Sequence, residues 1–375
     1  MNQYRRLLLC CLTFVLLTAW GCVVTPYQAQ PAVAPVATQA VSVSPASRTA
    51  DSEAPLTVSP NATISLTQVP LLAHMRRTLH ESARSSFSAE ELSIIPFLEL
   101  SGNQMTDLSE LAYFPNVTNL SLSSTAVQDF QPLSHLKKLS VLYLKQNAQA
   151  SLQTLPDLKS LTELHLMDSG LDDTALLVND ASLTTLEIDQ SNLPLLTGIK
   201  DLPNLAGLTL RWTVPVQSTA LAALANSASL VSLTLDGPAE SGEPDYAWLR
   251  AMVSLQDLSI ACTSARELSA LPQLPSLTAL CVTGPVDSVV ALSRQRQLQT
   301  LTLKNACMQN LLPLAGLTSL RRLELLDCTV SDLTSLKQLG QLQTLVITGQ
   351  QPDDILCQLR EALPQTEIFT QLPAK

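Results

Sequence analysis

The sequence predicts an α/β solenoid: stacked short repeats with parallel β-strands on a concave side and 3₁₀ or single-turn helices on the convex side. Three observations carry this prediction. The pattern Leu-x-x-Leu-x-Leu returns at Ile95, Val117, Leu139, Leu161, Leu183, Leu205, Leu230, Leu255, Leu277, Leu298, Leu320 and Leu342, in steps of 22 residues apart from two of 25 and one of 21. Such regularity marks copies of one structural unit. Within one copy, Leu164 and Leu166 alternate with Glu163, His165 and Met167, so a short strand sends the leucines to one face and the other three to the opposite face. Finally, a period of 22 residues leaves too little chain for a long return helix.

One such unit cannot bury its own apolar face, but stacking gives a continuous leucine ladder with parallel strands about 4.8 Å apart. The ninth position of each repeat is small and mostly polar: Asn103, Thr125, Asn147, Ser169, Ser191, Thr213, Thr263 and Cys328. These side chains are expected to bond backbone groups of the neighbouring turn that would otherwise be buried unsatisfied. Pro238, Pro285, Ala306 and Gln350 interrupt that ladder. On the return side, Asp107 and Asp332 precede Leu108–Leu111 and Leu333–Leu336, the arrangement of a cap on a helical turn. With these features the chain resembles a leucine-rich repeat protein of the short 22-residue class found in bacterial internalin-like proteins. The resemblance spans roughly residues 95 to 363 and implies the fold; it names no ligand.

The N-terminus reads as an export signal. Arg5 and Arg6 precede an apolar run from Leu7 to Trp20, followed by Gly21 and Cys22. The segment Ala19-Trp20-Gly21-Cys22 resembles a bacterial lipobox, so residues 1–21 are expected to be the signal peptide and Cys22 the lipidated residue of a bacterial lipoprotein. Trp20 and Ala19 depart from the usual pattern, which leaves ordinary cleavage and an uncleaved anchor over Leu7–Val24 open. From residue 22 to 63, Pro26, Pro31, Pro35, Pro45, Pro55 and Pro60 sit among Ala, Val, Thr, Gln and Ser with almost no charge. That composition predicts a disordered tether behind the lipidated cysteine.

Residues 64–94 are expected to form a helical N-terminal cap. Val69, Leu72, Met75 and Leu79 recur at helical spacing over Leu66–Ala83, opposite Arg76, Arg77 and Glu81, and Ser88 to Glu91 matches a capping box. A solenoid needs its open end covered, so His74 and His80 read as cap residues. Repeats, about twelve, fill residues 95–363. They close with a helix after Asp353-Asp354, and residues 364–375 hold a last edge strand near Thr366–Phe369 and the tail.

Composition narrows the partners. The net charge is −10, and removal of Arg5 and Arg6 leaves 20 basic against 32 acidic side chains, near −12. Nucleic acid and anionic lipid headgroups bind through Lys and Arg on phosphate, so neither is expected here. Cys262, Cys281, Cys307, Cys328 and Cys357 follow the anchor region; five cannot all pair internally. Cys307 and Cys328 occupy nearly equivalent places in adjacent repeats, with one expected to face out and one in, and isolated packing residues are the favoured reading over a bridge. The sequence holds no G-x-S-x-G, H-E-x-x-H or Gly-rich phosphate loop, and no cofactor, metal site or enzyme activity is expected.

Two function classes remain: a lipid-anchored protein-binding module of the bacterial envelope or surface, using the concave strands, or a structural spacer without a ligand patch. The outward positions separate them. The second repeat presents Asn119, Ser121 and Ser123, and the tenth Thr300, Thr302 and Lys304. The third to sixth present Tyr143, Lys145, Glu163, His165, Met167, Glu187, Asp189 and Arg211, with Trp212 beside them. Large amphipathic and charged side chains of this kind concentrate at interface centres, so this set is the candidate site for a protein or peptide partner.

Overall fold

The computed structural model describes residues 62–147, 152–177, 182–238, 246–261, 267–349 and 353–371. The expected signal segment, Cys22, most of the expected tether, Cys262, Thr263, Gln350 and the Gly/Pro-rich stretch from residue 239 lie outside the described residues. The described residues begin with an antiparallel pair, Thr63–Ser65 against Ser86–Ser88. Helix α1 (Val69–Thr78) runs between them, started by Pro70, whose fixed φ suits a first turn. Its inner face is Leu71, His74 and Met75. Val69, expected inside, is 53% exposed because it opens the helix before the buried stripe begins. Helix α2 (Ala89–Ser93) carries the predicted capping box: Ser88 Oγ accepts from the Glu91 N–H, and the Glu91 carboxylate accepts from the Ser88 N–H.

Thirteen parallel strands among the described residues, from Phe97–Ser101 to Glu367–Phe369, stack in one sheet in chain order. The register aligns leucine on leucine: Leu98 with Leu120, Leu142 with Leu164, Leu208 with Leu233 and Leu233 with Leu258. These side chains are buried in one continuous core, and their strand neighbours point to the other face. The pairing runs unbroken through both 25-residue steps, so the added residues lie outside the strands. Short 3₁₀ helices such as Ser109–Tyr113, Gln131–His135 and Thr334–Gln338 make the return side. Asp107, Asp129 and Asp332 each accept the N–H two residues on and so start these turns, as expected. A small parallel pair, Cys307–Asn310 with Thr329–Asp332, is an addition not anticipated from the sequence. Helix α3 (Asp353–Ala362) precedes the last strand, Glu367–Phe369, which pairs in parallel with Thr344–Ile347. No helix of the described residues is long and apolar enough to cross a membrane.

The turn leaving each strand is governed by two positions. At the ninth, Asn147 donates to the carbonyls of Leu122 and Lys145 and accepts from the Thr125 N–H, and Ser169 donates to the Leu144 carbonyl at 2.7 Å. Cys328 continues this ladder with its thiol on the Leu303 carbonyl. At the eighth, Ser124, Gln146, Asp168, Asn305 and Asp327 hold a left-handed backbone, as do Gly102, Gly284 and Gly349. In the fifth and sixth repeats that conformation is absent, and the eighth side chain turns inward. Gln190 is buried and bonds the backbone of Leu171 and Asn192, taking over the expected role of Ser191, which is exposed. Trp212 does the same one repeat later, leaving Thr213 exposed. The described cysteines, Cys281, Cys307, Cys328 and Cys357, are all free thiols; Cys307 is exposed and Cys328 buried.

Candidate partner-binding face

The strands of the third to sixth repeats, Val141–Lys145, Glu163–Met167, Thr185–Asp189 and Gly207–Arg211, place equivalent residues side by side. Tyr143 lies beside His165 and His165 beside Glu187 in one row; Lys145, Met167, Asp189 and Arg211 form the next. Parallel pairing at this spacing stacks like side chains face to face. The Tyr143 and His165 rings are parallel within 9°, with centroids 4.2 Å apart. His165 Nδ1 meets Glu187 Oε2 at 2.6 Å, and Arg211 Nη1 donates to Glu187 Oε1. Asp189 Oδ2 is 3.9 Å from the same guanidinium nitrogen, and Glu163 Oε2 is 3.8 Å from His165 Nε2. That Nε2 is buried without a hydrogen-bond partner among the described residues. Lys145 is exposed at the edge of the cluster, and Met167 is half-buried between Lys145 and Asp189.

The electrostatics follow from this packing. Burial alone would raise the Glu187 carboxyl, but hydrogen bonds from His165 and Arg211, with their charges, outweigh it and hold the group at about 2. Burial raises Asp189 first of all; Arg211 opposes this, and Glu187, Asp168 and Asp236 add to it. Burial likewise raises the Tyr143 hydroxyl, helped by Glu163 and Glu187.

Glu187 makes the solenoid acid-sensitive in a defined direction. Its pKa falls from an ordinary 4.5 to about 2 on folding, so its contribution is complete above the ordinary value and is lost as pH drops through that window. Chemical denaturation at a series of acidic pH values is expected to show a shallower pH slope across this window for Glu187→Gln than for the wild type. Parallel slopes would show that the carboxylate is not paired as described.

The structure corrects one member of the predicted set. Trp212 is 6% exposed and belongs to the core; its Nε1 donates to the Pro238 carbonyl at 2.9 Å. Its backbone at the eighth position is not left-handed, and the side chain turns inward. A Cβ on Gly237 would sit 2.4 Å from the indole ring, so the ring occupies the space that this glycine leaves. Thr302, expected to be bland, is 9% exposed and donates to Glu324 Oε2 at 3.0 Å, while Arg322 grips Glu324 Oε1. Arg322 and Glu324 occupy outward positions of the eleventh repeat, and that spacing is the sequence signal for this second cluster. Among the described residues no group of His, Cys, Asp and Glu could hold a metal ion.

No protein-family model and no curated protein matches this sequence. Among solved structures, an internalin (inlF) from Listeria monocytogenes is similar with a TM-score of 0.59 and 23% identity, covering 81% of this chain and 89% of that one. The functional domain of InlJ from the same organism is similar at 0.46 and 15% identity, covering 84% and 72%. A leucine-rich repeat protein of Leptospira interrogans follows at 0.30 and 17% identity, covering 75% and 97%. The parallel sheet, its 3₁₀ returns and the first of these likenesses define the chain as a leucine-rich repeat solenoid.

Proposed function

We propose that the protein is a non-enzymatic, lipid-anchored protein-binding module of the bacterial envelope, exported and held by Cys22 on a membrane facing the periplasm or at the cell surface. In this reading residues 1–21 are a signal peptide, 22–63 a lipidated cysteine with its tether, 64–94 the cap, 95–363 the repeats and 364–375 the edge strand and tail. The observation that supports the binding role is the linked cluster on the sheet face, Tyr143, His165 and Glu187 in one row with Arg211 reaching Glu187 from the next. Side chains already fixed by their neighbours lose little entropy when a protein or peptide docks. Tyr143 and Arg211 offer contact area and directed bonds, with Lys145, Met167 and Asp189 around them.

A pull-down from intact envelopes with the solenoid as bait identifies the partner. Tyr143→Ala is then expected to weaken binding by about 1 to 3 kcal/mol with a nearly unchanged melting temperature, and Thr300→Ala, outside the patch, to bind as wild type. Equal binding by the two variants would favour the spacer reading.

The anchor has its own test. Cys22→Ser should abolish acyl labelling and release the protein from membranes, because one or two acyl chains supply the anchoring energy. A variant that stays on the membrane with its signal uncut would instead point to a spanning N-terminal segment.

A further inference from the structure

The cap holds a titratable group at a structural joint. His74 lies on the inner face of α1, 6% exposed, with its ring tilted against Phe97 at a centroid distance of 6.3 Å. Its Nδ1 accepts the backbone N–H of Glu99 at 3.4 Å. Both Phe97 and Glu99 belong to Phe97–Ser101, the first strand of the sheet, which pairs with Asn119–Ser123 on one side and ends the sheet on the other. An uncovered strand edge is a liability, and a solenoid's first repeat needs a lid. An imidazole nitrogen can accept this N–H only while it carries no proton.

We propose that His74 is a pH-sensitive latch between the N-terminal cap and the sheet: charging its ring releases α1 from the edge of Phe97–Ser101 and uncovers that edge. Burial is the largest influence on His74 and holds its pKa below the ordinary 6.5, with the Arg77 charge on the same helix adding to it. The Glu99 carboxylate, on the strand, pulls the other way without reversing it. The sign follows: the docked cap is fully favoured above the ordinary imidazole value and loses that preference as pH falls through it toward the lowered value. Release is local, because the Glu110 carboxylate separately accepts the N–H groups of Thr67 at 2.7 Å and Gln68 at 3.3 Å just before α1.

Amide hydrogen exchange on the intact protein at about pH 7 and about pH 5, two values on either side of imidazole titration, tests the latch once intrinsic exchange rates are corrected. Protection of the peptides covering α1 and Phe97–Ser101 is expected to fall several-fold at the lower pH, while Gly207–Arg211 in mid-sheet keeps its protection. His74→Gln, whose side-chain oxygen accepts the same N–H without titrating, should lose the response. A wild type with equal protection at both values, or a response that persists in His74→Gln, overturns the proposal.

Discussion

Replacing Leu164 with Asp is expected to cost the solenoid several kcal/mol. Leu164 is fully buried and sits in register between Leu142 and Leu186. Removing such a side chain leaves a cavity worth about 2 to 5 kcal/mol, and an unpaired carboxylate in the same stack adds a desolvation cost. Because each repeat is stabilised chiefly by its neighbours, the loss interrupts the ladder rather than one layer. Urea titration reads it directly. Lys145→Ala, on the opposite face and exposed, should change stability by less than about 0.5 kcal/mol. Equal costs for the two would mean that the inward and outward faces are assigned the wrong way round. His165→Ala is a poorer control than its outward position suggests, since it strips a hydrogen bond from the half-buried Glu187 carboxylate.

Trp212→Ala is expected to be nearly as damaging, at about 3 to 5 kcal/mol for a buried aromatic truncated to a methyl group. The indole fills the space beside Gly237 and ties the turn to Pro238. Gly237→Ala approaches the same contact from the other side: its Cβ would lie 2.4 Å from two ring carbons and 2.6 Å from the Trp212 carbonyl oxygen, so ring and backbone must both move. Thermal melts of the two single variants and of the double variant check this. The double should cost less than the sum of the singles, because removing the ring also relieves the clash. A Trp212→Ala protein that melts with the wild type would place the indole outside the core.

The fold was readable because it depends on period alone. Leucines at fixed spacing specify which side chains face inward, and a 22-residue return admits only short turns. The position of Trp212 was not readable, since it depends on the handedness of one backbone residue; Asp168 and Trp212 hold the same place in their repeats yet point opposite ways. The link between His165 and Glu187 lay within reach: equal positions in consecutive repeats become neighbours, so a His and a Glu in one row predict a pair. Thr302 departs from a bland face for the same reason, since Glu324 lies beside it in its row. The inner face of α1 shifted because a ten-residue helix offers too few turns for periodicity to fix which stripe docks.

The unbroken strand register has a consequence for how such a surface can change. Both long repeats place their surplus residues outside the strands, and Leu208, Leu233 and Leu258 still meet in line. Each outward side chain therefore occupies a fixed address, set by its row and its repeat. Under the proposed function, a partner lying across the Tyr143 row would carry features matched to the inter-strand pitch of about 4.8 Å. Selection can retune chemistry along that grid one residue at a time, while the extra length of the long repeats leaves the strand register as it is.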